Sequence, residues 1–257
     1  MTTKVVIPIY RKDLKAVERM ALESAVRVFK NRDIVVVKPR SLDLKALSEE
    51  FPSLSFESFD DEFFHGISGY NRLMMSDVFY ERFDSTDYIL IFQLDAYAFR
   101  DELDEWVAEG YDYVGAPWLK RRLYKLPVVS QWLWLKGEVK RLMHKPSKQM
   151  LYDRVGNGGV SLRRVAAFRR VLREQHDRVD FYLAQKRHHL YNEDVFWSVE
   201  PRDFSYPTVE RALAFSFDKY PRRCFALTGG RLPMCCHAWY KRRMKSFWQT
   251  QLTFPEE

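Results

Sequence analysis

Apolar residues follow two alternating rhythms along the chain. Short, nearly continuous apolar runs are separated by stretches in which apolar residues recur every three or four positions. The first run, Lys4 to Tyr10 (KVVIPIY), reads as a buried parallel strand ended by a turn. Leu14, Val17, Met20, Ala21 and Val28 then recur at helical spacing. The β-branched run Asp33 to Val37, closed by Pro39, is a second strand. A helix is predicted over Ser41–Glu50, and another over Gly69–Phe83 (GYNRLMMSDVFYERF). Tyr88 to Phe99 (YILIFQLDAYAF) is a strand that reaches Asp95 where it would leave the sheet. A short helix follows over Asp101–Glu109, with Gly110 suited to its left-handed end. Tyr111 to Trp118 is a strand ending in a turn at Pro117. Strands alternating with helices of this length predict an α/β fold with a mostly parallel, Rossmann-like sheet and helices on both faces.

Residues 119–150 break the rhythm. They are heavily basic, with Glu138 as the one acidic residue and Trp132, Leu133 and Trp134 at the centre. This reads either as a basic amphipathic segment for an anionic membrane surface or as a solvated insertion whose tryptophans pack on the domain. After Gly159 a strand turns into a helix, and the C-terminal third is α-rich and irregular.

Length and composition narrow the class. A chain of 257 residues, 46% hydrophobic and 30% charged, has the material for one sizeable core and is ordered. A net charge of +7 points to phosphate-bearing partners. Its basic residues gather in an insertion and not in a recognised module, which argues against nucleic acid. No charged start leads into a long apolar run and no stretch of 18 apolar residues exists, so neither a secretory signal nor a membrane-spanning helix is expected. Cys224, Cys235 and Cys236 are odd in number and lack C-x₂-C spacing, which disfavours a disulfide framework or zinc site and suits a reducing cytosol.

Four clusters could carry chemistry. Asp95 stands where open α/β sheets bind ligands, and a hard cation prefers such an oxygen donor; it could equally cap the next turn. Its surroundings, Gln93-x-Asp95, are one carboxylate short of a D-x-D. Gly156-Asn157-Gly158-Gly159 reads as a flexible turn, either an ordinary one or one whose backbone closely approaches a ligand. Asn192-Glu193-Asp194 opens a helix; Asp194 is a candidate general base and Glu193 a candidate holder of an acceptor hydroxyl, or both are simply an acidic first turn. His237 is a candidate metal ligand or a structural histidine. Arg72, beside Tyr70 and Asn71, offers a planar fork for phosphate or lies on the surface.

With these residues identified, the chain resembles a bacterial family of unknown function related to GT-A-fold glycosyltransferases. The resemblance is carried by VVIPIY, GYNRLM, YILIFQLDAYAFRDEL, GYDYVGAPW, GNGGVSLR, NEDVFWS and LPMCCHAW, which cover nearly the whole chain outside 119–150. It implies a single GT-A-like domain over 1–257 with a basic insertion at 119–150. Asp95, with Gln93 before it, would meet the metal and the nucleotide ribose. Asn157, Gly158 and Gly159 would lie near donor and acceptor, and Asp194 would be the base of an inverting enzyme, with Glu193 beside it. His237 would bind the metal with Asp95. Pro8, Ile9 and Tyr10, together with Asn71 and Arg72, would frame the nucleotide base and diphosphate. The incomplete D-x-D leaves a divalent cation (Mn²⁺ or Mg²⁺) or a metal-independent enzyme as alternatives.

The expected function is transfer of a sugar from a nucleotide-sugar donor, a UDP-sugar, to a glycan or lipid-linked acceptor in surface polysaccharide synthesis. The expected location is cytoplasmic, peripheral on the inner face of the membrane. The rivals are a sugar-phosphate nucleotidyltransferase and a non-catalytic basic protein binding membrane or polysaccharide through 119–150 and 240–245. The nucleotidyltransferase would carry a glycine-rich loop after the first strand, where this chain has Ile9-Tyr10-Arg11-Lys12.

Overall fold

The computed structural model describes residues 1–143, 146–185 and 188–254. The chain opens with β1 (Thr3–Pro8), α1 (Ala16–Val28), β2 (Asp33–Pro39), α2 (Lys45–Glu50) and β3 (Leu54–Phe59). It continues through α3 (Gly66–Met74), α4 (Asp77–Glu81), β4 (Tyr88–Phe92), β5 (Ala96–Ala98), α5 (Leu103–Ala108) and β6 (Tyr113–Pro117). The basic segment forms α6 (Pro127–Leu142), before β7 (Val155–Arg164), α7 (Val165–Glu174), α8 (His176–Ala184) and α9 (Glu193–Val199). The last elements are α10 (Val209–Phe215), β8 (Ser216–Phe217), α11 (Pro221–Leu227), β9 (Cys235–His237) and α12 (Arg242–Trp248). Residues 144 and 145 of the expected insertion lie outside the described residues.

Among the described residues, six strands form one sheet in the order β3-β2-β1-β4-β7-β6. β3, β2, β1 and β4 pair in parallel, while β7 runs antiparallel to both β4 and β6. The mostly parallel sheet that the apolar rhythm predicts is therefore present. Both faces are covered. Val5 and Ile7 of β1 join Ile34, Val36 and Leu90 in one core cluster. Val6 joins Val35, Ile89 and Ile91 in the other. Successive strand residues point to opposite faces, so a sheet buried on both sides requires unbroken apolar runs. Helix α1 closes the first face with Ala21, Leu22 and Ala25. The second is closed by residues such as Met74, Phe79, Phe168 and Trp197 of α3, α4, α7 and α9. Each such fully buried side chain contributes about 1.5–3 kcal/mol, so these two layers dominate the stability.

The order reverses at β1. Its parallel neighbours are β2 on one side and β4 on the other, so chain leaving β1 and β4 diverges and opens a crevice at their carboxyl ends.

Several local expectations change. The helix expected over Gly69–Phe83 breaks into α3 and α4, with extended backbone at Ser76. The Ser76 hydroxyl donates to the Leu73 carbonyl at 2.8 Å, a local bond that competes with the helix ladder. The helix expected from Ser41 starts at Lys45, where Asp43 accepts the Lys45 N–H at 2.9 Å in an Asx-type turn. Strand β3 has no counterpart in the predicted elements, because this edge strand buries only Leu54 and Phe59 and three of the four residues between them are polar. The C-terminal third also supplies two strands, β8 and β9, which form a three-stranded sheet with β5 in which β9 is central. Gly156–Gly159 is not a turn. It is extended and buried within β7, beside a bulge in the pairing with β6.

Candidate active site

The crevice at the ends of β1 and β4 is a cavity of about 560 Å³, within the range of small-molecule sites. Pro8, Ile9 and Tyr10 line it from β1, and Gln93 and Asp95 from β4. Asn157, Gly158 and Gly159 enter from β7, Glu193 and Asp194 from α9, Asn71 from α3, and His237 from β9. Of the site residues proposed from sequence, Arg72 alone lies elsewhere. Its guanidinium is exposed and bonded to the Glu62 carboxylate at 3.2 Å and the Glu62 carbonyl at 3.0 Å.

The glycines of β7 explain how distant elements come this close. A Cβ on Gly158 would collide with the Glu193 carboxylate, and one on Gly159 would sit inside the His237 ring. Gly156 is likewise pressed against Ser198 and Trp118. Glycine here lets α9 and β9 lie directly on the strand. Gly159 also accepts the Gln93 N–H at 2.9 Å, tying the loop after β4 to the same strand.

Behind the cavity, Arg163 is fully buried. It forks onto Glu193 at 3.1 and 3.3 Å and donates to the Tyr80 hydroxyl at 2.9 Å. Such a pair organises its surroundings more than it stabilises, because desolvation cancels much of the attraction. Asn71 works on the same turn. Its Oδ1 accepts the Glu193 N–H at 3.2 Å, and its Nδ2 donates to Asn192 at 3.3 Å. Asn71 thus fixes the start of α9, where Asn192 makes no side-chain cap of its own.

Asp194, the next residue, makes no ion pair among the described residues. Its Oδ1 accepts the Val195 N–H at 2.8 Å. Burial, and after it the negative charge of Glu193, push its pKa up to about 7. A carboxylate so tuned can take a proton near neutral pH.

On the opposite wall the charges are paired. Asp95 Oδ1 lies 2.9 Å from His237 Nε2, and its Oδ2 lies 3.1 Å from Lys241 Nζ. His237 Nδ1 meets the buried Asp218 at 3.1 Å. Burial works against both charges, but the partners prevail. Asp95 is held well below the usual carboxylate range, and the imidazole is pushed up to about 10 by Asp95 and Asp218. Ala238, next in the chain, takes a positive φ of 54° and donates its N–H to the Asp95 carbonyl at 2.7 Å. That left-handed conformation costs a non-glycine residue on the order of 1–2 kcal/mol and locks β9 to the loop bearing Asp95.

Asp95 and His237 could offer a divalent cation two donors once it displaces the His237 proton and replaces the ion pair they make with each other. His237 Nε2 approaches Asp95 without the angle of a hydrogen bond and is a buried nitrogen lacking such a partner. Its other nitrogen is held by Asp218, the arrangement that orients a metal-binding imidazole. Gln93 takes the place of a second carboxylate, and no group of three or more His, Cys, Asp or Glu that could hold a metal occurs among the described residues. A hard cation in such a place completes its shell with water and phosphate oxygens.

Asp218, Lys241 and Arg163 are polar groups that sequence reasoning missed, as are Glu18 and Tyr240 of the cavity lining. Lys241 sits in the basic run noted near the C-terminus, but a charge run gives no sign of which member faces a cavity. Arg163 ends the GNGGVSLR run but was not singled out within it, and Asp218 lies in no motif.

Known structures define the class of fold. Mouse xyloside xylosyltransferase 1 superposes with a TM-score of 0.57 at 16% identity, over 92% of this chain and 97% of that one. The galactosyltransferase LgtC, solved with donor and acceptor sugar analogues, gives 0.55 at 12% identity over 99% and 98%. The glycosyltransferase GlyE of Streptococcus pneumoniae gives 0.52 at 12% identity, over 98% of this chain and 61% of that one. The fold is therefore that of the GT-A glycosyltransferases. No curated protein sequence matches the chain. The chain belongs to the family described as protein of unknown function DUF5672, whose sequence model matches residues 53–237.

Proposed function

We infer that the protein is a glycosyltransferase that moves a sugar from a nucleotide-sugar, a UDP-sugar, to a hydroxyl of a glycan or lipid-linked acceptor with inversion. The observation that carries the reading is the meeting of Asp95, Asp194 and His237, from three distant parts of the chain, on one cavity at the strand-order reversal. Its likeness in fold to a xylosyltransferase and a galactosyltransferase supports the reaction class. Surface polysaccharide synthesis is the process this substrate class suits.

In the proposed step Asp194 removes the acceptor hydroxyl proton. The oxygen attacks the anomeric carbon as the bond to the diphosphate breaks, and the nucleoside diphosphate leaves with that bonding pair. Tyr10, exposed at the mouth, offers a ring for the nucleotide base. Asn157, Gly158 and Gly159 present strand backbone to donor and acceptor. Lys241 supplies positive charge on the diphosphate side. Asp95 and His237 would hold Mn²⁺ or Mg²⁺, which when bound neutralises charge gathering on the leaving diphosphate. Glu193 holds the floor with Arg163 and so reaches the chemistry through Asp194.

The test is donor hydrolysis and transfer by purified protein, with calorimetry of UDP binding in the presence and absence of manganese. Loss of turnover in Asp194→Asn with UDP binding retained is the expected result. Full activity of that variant on every acceptor that the parent uses would remove Asp194 as the base. No UDP binding at millimolar concentration would remove the transferase reading as a whole.

A further inference from the structure

Helix α6 is apolar on the side it turns to solvent. Val128, Trp132, Leu135, Val139 and Leu142 follow one another at steps of three and four residues, so they share one helix face. Each is between 47% and 78% exposed. The opposite side of α6 is the side packed inward: Gly137 lies against the Gln149 side chain, which also donates to the Leu133 carbonyl. The helix therefore turns one face to the end of its own insertion and leaves an apolar face uncovered. Solvent-facing apolar stripes of this extent mark interaction sites.

Charge says what covers it. Residues 119–150 hold nine Lys or Arg against one Glu, a net +8, while the whole chain carries +7. The rest of the protein is thus close to neutral, and the entire positive surplus sits on the segment bearing the stripe. Lys120, Arg121 and Arg122 are at its start, and Lys136 lies 4.9 Å over the Trp132 ring. A second copy of the chain would bring +8 against +8, which opposes self-association through this face. An anionic lipid surface satisfies both features, since basic groups meet headgroups while tryptophan and aliphatic side chains enter the headgroup–acyl boundary.

We propose that α6 lies along an anionic membrane surface, with the Val128–Leu142 stripe inserted and the flanking lysines and arginines on the headgroups. The inference does not rest on the transferase reading. Its assay contains no sugar donor, so either can fail while the other stands.

The experiment is flotation of the full chain with vesicles of phosphatidylcholine alone or with added phosphatidylglycerol, at low and raised salt. Tryptophan emission is recorded in parallel. Trp132 and Trp134 are the exposed indoles, Trp118 is half-buried, and Trp106, Trp197, Trp239 and Trp248 are fully buried, so a blue shift that Trp118→Phe leaves in place reports α6. The expected result is at least tenfold stronger binding to anionic vesicles, weakened by salt, since each basic residue near such a surface is worth about fivefold. Leu135→Glu with Val139→Glu should abolish flotation and the blue shift without changing the melting temperature, because both side chains face solvent. Lys136→Glu, a change of two charges, should weaken binding by roughly 25-fold. Three results would overturn the proposal: equal binding to neutral and anionic vesicles, flotation of the Leu135/Val139 double variant like the parent, or a concentration-dependent dimer that the same double variant abolishes.

Discussion

Asp194→Asn should inactivate the protein and stabilise it at once. The structure places Asp194 half-buried on the first turn of α9 with the buried Glu193 beside it, and the pKa of about 7 means that ionising it in the folded state is costly. In the unfolded chain the same carboxyl titrates near 3.9. Between those values the native state holds a proton that the unfolded chain has released, so stability falls as pH rises from about 4 to about 7 and stays low above. Roughly three units at ~1.36 kcal/mol each give a cost on the order of 4 kcal/mol at pH 8. Asparagine keeps the shape and the acceptor for the Val195 N–H but never ionises. The variant should therefore gain on the order of 3–4 kcal/mol over the parent at pH 8 and nothing at pH 4. For a domain of this size that is a rise of roughly 6–15 °C in melting temperature. Its transfer rate should drop by about 10²–10⁴, the usual worth of a general base. Calorimetric melts of both proteins across pH 4–8, with transfer rates on the same samples, are the assay. A stability difference that does not change with pH would refute the account of Asp194, whatever happens to the rate.

The parent's transfer rate should rise with pH through about 7 as Asp194 ionises, and Asp194→Glu should move that limb if the group is the base; a flat profile from pH 5 to 9 counts against it. Asp218→Asn should lower the His237 pKa from about 10 and weaken manganese-dependent UDP binding by about 10–100-fold; two-dimensional NMR of the imidazole and calorimetry read the two effects, and an unchanged His237 titration would refute the pairing. The stability supplied by His237 is complete below its unfolded pKa near 6.5 and is lost as pH rises toward 10, so Asp218→Asn should cost more at pH 6 than at pH 10 in melting experiments. Glu193→Gln should destabilise the fold by about 3–5 kcal/mol in denaturant titrations, because it leaves Arg163 buried without a counter-charge; a loss under 1 kcal/mol would show that the pair is not as dry as its burial implies.

The large-scale fold was legible because burial on both sheet faces leaves a mark that a sequence cannot hide. Val5, Val6 and Ile7 must all be apolar when alternate side chains enter different cores. Strand β3 was silent for the opposite reason, since an edge strand with Ser55, Glu57 and Ser58 has no such constraint. The helix break at Ser76 depends on one hydroxyl choosing a carbonyl, which periodicity does not record.

The site divides along the same line. Asp95 and His237 stood out because each interrupts an apolar run, and Asp194 because it opens one at a helix start. Asp218 and Arg163 did not, because their significance lies wholly in partners remote along the chain, 19 residues away for Asp218 and 30 for Arg163. The Gly156–Gly159 stretch shows how a correct residue can be given a wrong reason. Read locally, a run of glycine and asparagine is a turn. In the folded protein it is part of an interior strand, where absent side chains leave room for the Glu193 carboxylate and the His237 ring. That interpretation has its own consequence. Gly159→Ala should leave β7 paired, because its backbone is extended, yet push the His237 ring off Asp95. The loss should therefore appear in nucleotide binding and in the His237 titration before it appears in the fold. A variant that keeps both while losing stability would mean that the glycine serves the strand and not the site.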